Sequence, residues 1–138
     1  SPEDRAWRVR EIYEPFHGAI RSVLARRKQA ALIGMHSFTP VYRGIARPWH
    51  IGILFDRDRS LADPLLEALR RDRDLPVGEN EPYSPQDRVY HTLDRHGQSQ
   101  GLASVMIEIR NDLIATAEAQ EAWGRRLAEA FKPILGVA

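Results

Sequence analysis

No cysteine occurs in the 138 residues, which excludes disulfides, thiolate catalysis and cysteine-ligated zinc. A metal site would have to be built from His, Asp or Glu. No apolar stretch is long enough to cross a bilayer, and no repeat or low-complexity segment interrupts the chain. Lysine is nearly missing as well: eighteen of the twenty basic residues are arginine, a bias that a GC-rich bacterial coding sequence explains better than chemistry does. Acidic and basic residues almost cancel at a net +1, and the basic ones are dispersed. Neither a nucleic-acid groove nor an anionic membrane surface is indicated, so no nucleic acid and no membrane are expected as partners.

What is present suits one domain over residues 1–138, with 43% hydrophobic residues to fill a core. The chain opens on a helix start, with Ser1 as cap, Pro2 in the first turn, and Glu3 and Asp4 against the positive helix end. With no initiating methionine there, the natural start is expected to lie upstream. Val9, Ile12, Tyr13, Phe16, Ile20, Val23 and Leu24 follow helical spacing and predict a helix over 2–29 with one face on a core. Pro15 predicts a kink or break near 11–14. The basic run Arg26-Arg27-Lys28 suits the end of that helix.

Alternation of element types continues. Strands are expected at 30–36, 50–55, 75–78 and 103–109, and helices at 61–71, 90–99 and 116–131, the last capped by Thr116. Residues 39–48, rich in Pro, Gly and Arg, read as an irregular loop. The pattern predicts an α/β layered fold with active residues at strand ends.

Two polar residues stand out within apolar runs. His36 ends the run from Ala30 and is either a metal ligand or a structural histidine. Glu108, between Ile107 and Ile109, is either a desolvated general base or half of an internal ion pair with Arg110, two residues on and on the same strand face. Arg43 and Arg47, in the loop after His36, could hold a substrate carboxylate by bidentate hydrogen bonds, although any arginine in this chain is as readily a solvated one. Asn80, Tyr83, His91, Thr92 and His96 precede Glu108 as binding residues or as caps and helix surface. His17 reads as a core or boundary histidine.

The runs His36-Ser37-Phe38-Thr39-Pro40-Val41-Tyr42, Gly78-Glu79-Asn80-Glu81-Pro82-Tyr83-Ser84 and Ile107-Glu108-Ile109-Arg110-Asn111-Asp112, in that order, resemble the N-formylglutamate amidohydrolase family over essentially the whole chain. The resemblance implies kinship with zinc carboxypeptidases and a mixed-sheet α/β sandwich of the zinc exopeptidase type. It implies His36 as a zinc ligand, Glu108 as general base and Arg43, Arg47, Asn80, Tyr83, Thr92 and Arg110 as substrate-binding residues. Asp94 and Gly101 loosely match an intervening Asp and a Gly-ended turn. The implied reaction is hydrolysis of N-formylglutamate, a small molecule with carboxylates, to formate and an amino acid by a cytoplasmic enzyme.

The family's other two zinc ligands lie in an acidic-His-Ala motif that this sequence does not contain. The chain is therefore expected to be a C-terminal portion, inactive unless polypeptide upstream of Ser1 supplies them. The run Arg47-Pro48-Trp49-His50 looks like a divergent branch, so a different N-acyl amino acid is also compatible. The competing reading is a binding or regulatory domain that keeps the fold without the metal.

Overall fold

The computed structural model describes residues 1–27 and 29–136. Ser1 caps α1 (Pro2–Arg8): its Oγ accepts from Asp4 N at 3.2 Å, and its ammonium donates to the Asp4 carboxylate at 2.9 Å. A π-helical turn, Val9–Tyr13, then leads into α2 (Glu14–Leu24), which has Pro15 in its first turn. The wider turn stands where a kink was expected. Proline lacks an N–H and crowds the carbonyl four residues back, and a π turn accommodates both defects without breaking the helix.

The helix ends at Leu24 rather than near 29; of the basic run expected there, Lys28 lies outside the described residues. A larger correction concerns its apolar stripe. Val9, Ile12, Phe16 and Val23 are exposed, and His17 is the residue of α2 that is buried. Helical spacing shows which residues share a face, but burial needs a partner, and among the described residues the helix packed against α2 is the short α4.

The strands are β1 (Leu32–Phe38), β2 (Val41–Tyr42), β3 (Ile45–Ala46), β4 (Ile51–Leu54), β5 (Val77–Glu79) and β6 (Ser104–Arg110); the remaining helices are α3 (Ala62–Leu69), α4 (His91–His96) and α5 (Ala117–Leu135). β1 starts two residues later than expected and runs past His36. Residues 39–48 are not irregular throughout. Val41 pairs with Ala46 and Tyr42 with Ile45, closing a hairpin through Arg43 and Gly44, both at positive φ (49° and 79°). That backbone matches the right-handed twist of the flanking strands.

Four strands form one mixed sheet in the order β1-β6-β4-β5, with β1 parallel to β6, β4 antiparallel to β6 and β5 parallel to β4. Side-chain alternation gives the sheet two unlike faces. Ile51, Ile53, Val105, Ile107 and Ile109 pack with Leu65, Leu66 and Leu69 of α3 and Leu127 and Phe131 of α5 in the main core. On the opposite face Leu54 and Met106 pack with Tyr90 and Leu93 in a smaller cluster. Thr116 Oγ1 accepts from Ala119 N to start α5, which continues through Pro133 in its last turn and stops at Gly136, φ 63°.

Candidate active site

β6 is central and buried from Ser104 to Ile109. Its even-numbered positions face away from the main core, which puts Glu108 on the same face as Met106. Across the sheet, Glu108 registers with His36 on β1 and Gly52 on β4. The row His36–Glu108–Gly52 lies near the carboxyl ends of the parallel strands β1 and β6, where α/β sheets hold ligands.

Gly52 is there for space. A Cβ at that position would stand 1.9 Å from the Glu81 carbonyl oxygen, and one at Gly78 would stand 2.8 Å from the same atom. The segment Glu81-Pro82-Tyr83, with a cis Glu81–Pro82 bond, thus crosses the sheet over two glycines and roofs the strand beside Glu108. These glycines were not among the expected site residues. Their signal was present nonetheless, because glycine inside an apolar strand marks a close backbone approach.

Glu108 is 4% exposed and its Oε2 has no hydrogen-bond partner. Burial pushes its carboxyl from the usual carboxylate range up to about 7, and the positive charge of Arg47 pulls weakly the other way. Arg110 is not its partner. That guanidinium donates from Nε to Asp112 at 2.8 Å and from Nη1 to the Arg47 carbonyl at 3.4 Å, because the turn after β6 offers it a carboxylate directly.

Arg47 is buried at 8% exposure. It donates to Tyr83 Oη at 3.1 Å and, more loosely, to the Thr39 carbonyl and hydroxyl at 3.4 and 3.5 Å. Its guanidinium lies 4.7 Å from the ring centroids of both Tyr42 and Tyr83, and 5.9 Å from Phe38. Three aromatic faces hold a buried cation whose hydrogen-bond partners are all neutral. Such a cation is poised for an anion.

The other expected residues divide. Tyr83 belongs to the Arg47 cage. His36 is exposed on β1, open to an approaching group. Arg43 sits on the hairpin turn, 5.2 Å above the Tyr42 ring, at the rim. Asn80, at φ 52°, spends its Oδ1 on Phe55 N and its own N–H on the Ile53 carbonyl, so it fixes the exit of β5 against the end of β4. Thr92 of α4 lines a groove with Tyr13, Phe16 and His17 and is not brought to Glu108. Asp94 pairs with Arg57.

Glu108 makes stability depend on pH with a definite sign. A carboxyl raised in the folded state binds its proton more tightly there than in the unfolded chain, so its contribution is fully present below the ordinary pKa and lost as pH rises through about 7. The metal-free chain is expected to lose about 3 kcal/mol between pH 4.5 and 8 from this group. Urea denaturation of the chain and of Glu108→Gln across that window measures it; parallel curves for the two proteins would refute the burial argument.

A family model described as N-formylglutamate amidohydrolase matches residues 1–115. The crystal structure of gene product Atu2144 from Agrobacterium tumefaciens superposes with a TM-score of 0.93 and 41% sequence identity, covering 99% of this chain and 55% of that one. This chain thus spans about half the length of that relative. The curated proteins give no match.

Proposed function

The chain belongs to the N-formylglutamate amidohydrolase family, and from that premise we propose that it carries the general base and the anion-binding arginine of a hydrolase acting on N-formylglutamate or a similar N-acyl amino acid. The observation that carries this reading is Glu108, a buried carboxyl held at about 7 with a free Oε2, beside Arg47. A base poised near neutrality accepts a proton from water and returns it within one turnover.

In that reaction water oxygen attacks the formyl carbon while Glu108 takes one of its protons. The C–N bond then breaks, the proton passes to the departing nitrogen, and the products are formate and the free amino acid. Arg47 holds a substrate carboxylate or the developing oxyanion, and its aromatic cage fixes it before substrate arrives. Arg43 sits where it could meet a second carboxylate at the rim. The zinc exopeptidase type of sandwich belongs to the same proposal.

Zinc, which the resemblance implies, is not housed by these residues alone. Among the described residues no three His, Asp or Glu side chains are grouped to hold a metal ion, and zinc centres use at least three protein ligands. His36 is proposed as one ligand, the others coming from polypeptide beyond these residues. The isolated chain is expected to hold substoichiometric zinc, and a longer polypeptide containing it one zinc that His36→Ala releases; stoichiometric zinc in the isolated chain would overturn this assignment.

Formate release from N-formylglutamate and other N-acyl amino acids by such a zinc-loaded polypeptide tests the function. A loaded protein that turns over none of them would favour the binding or regulatory domain. Against that alternative stands Glu108 itself, since a domain without chemistry gains nothing from a destabilising buried carboxyl.

A further inference from the structure

A cavity of about 480 Å³ lies between α2 and α4, lined by Arg21 and Leu24 on one side, Arg95 and His96 on the other, and Gln100 and Leu102 beyond them. None of the residues grouped around Glu108 lines it. Among the described residues the charged side chains lining it are both arginines, with no Asp or Glu. Among the described residues neither guanidinium takes part in an ion pair, although ten other contacts pair arginines with carboxylates.

Arg95 is half-buried and donates to a neutral acceptor, Tyr13 Oη, at 2.6 Å. His96 is buried, with its Nε2 2.7 Å from Nδ1 of His17, so that wall is fixed. Burial first, and then the charges of Arg95 and Arg21, hold the His96 pKa below its ordinary value. Two like charges on one cavity repel, and an anion between them removes that cost while gaining bidentate hydrogen bonds. Leu24 and Leu102 add an apolar wall that a hydrophilic anion would leave bare.

We propose that this cavity is an accessory site for a small organic carboxylate, its head held by Arg21 and Arg95 and its short apolar tail laid against Leu24 and Leu102. The site is separate from the proposed active site and stands or falls independently of it.

Calorimetric titration of butyrate into the 138-residue chain tests the proposal. Saturable binding is expected, weakened at least about tenfold by Arg21→Gln and by Arg95→Gln. Arg21 is exposed, so its replacement leaves the fold intact even if loss of the Arg95–Tyr13 bond does not. Arg125→Gln, a change on the exposed face of α5, is expected to leave butyrate binding unchanged. Inorganic phosphate, which has no tail to bury, is expected to bind more weakly than butyrate. Absence of saturable binding, unchanged affinity in Arg21→Gln, loss of affinity in Arg125→Gln, or phosphate binding as tight as butyrate would each overturn the assignment.

Discussion

Glu108→Gln is expected to lower formate release by about 10²- to 10⁴-fold in a zinc-loaded polypeptide that hydrolyses an N-acyl amino acid. The amide matches the carboxylate in size and fills the same space between the His36 and Gly52 positions, but it accepts no proton at neutral pH. Zinc content and KM are expected to stay near wild type, because Glu108 is assigned neither a metal nor a substrate carboxylate. The wild-type kcat/KM is expected to fall toward acid pH as Glu108 becomes protonated, and the variant's residual rate is expected to lose that limb. Wild-type turnover in a variant that retains its zinc would remove Glu108 from the mechanism. The same substitution is expected to stabilise the chain at alkaline pH, since it replaces a buried charge with a neutral group. Opposite changes in activity and stability are what a residue kept for chemistry produces.

Gly52→Ala is expected to destabilise the chain by at least about 3 kcal/mol. The new Cβ would stand 1.9 Å from the Glu81 carbonyl oxygen, and that neighbour is backbone, so no side-chain rotation relieves the overlap. Either β4 or the Glu81-Pro82-Tyr83 segment must move. Movement of that segment withdraws Tyr83 from Arg47, so activity is expected to fall together with stability. Gly124→Ala is the control, because a Cβ there meets nothing within 4 Å and alanine is the better helix former by about 1 kcal/mol. A thermal midpoint lower by on the order of 10 °C for Gly52→Ala, with no loss for Gly124→Ala, is the predicted pattern. Equal midpoints for the two variants would mean that the crossing is not rigid.

His36 and Glu108 were legible in the sequence because each interrupts or ends an apolar run, and motif order gave them a family. The same apolar context carried the pKa argument: Ile107 and Ile109 predict a dry strand, and a dry strand raises a carboxyl. Arg47 was singled out only by its place in a loop. What separates it from Arg43 is tertiary, since both follow His36 in the same loop, yet Arg47 is enclosed by Phe38, Tyr42 and Tyr83 while Arg43 rides an exposed turn. The hairpin at Val41–Ala46 escaped notice because strands of two residues have no detectable period.

Helical spacing misled in one respect. It placed Val9, Ile12 and Phe16 on one face correctly, but burial requires a partner surface, and spacing within one element carries no information about the other element. Asn80 and Thr92 fall under the same limit: both precede Glu108 in the chain, but a positive-φ turn commits one to backbone bonds and a helix places the other on a different groove.

By itself the sequence determined most element types, the family and the two residues to which the proposed chemistry is assigned, because these depend on local periodicity and on residue identity. Only the tertiary structure decided that the charge of Arg47 rather than that of Arg110 acts on Glu108, that two glycines admit the Glu81–Tyr83 crossing, and that two arginines without an ion pair among the described residues share a second cavity. Those outcomes depend on strand order and register, which bring residues far apart in the chain to within a few ångströms and which no local pattern encodes.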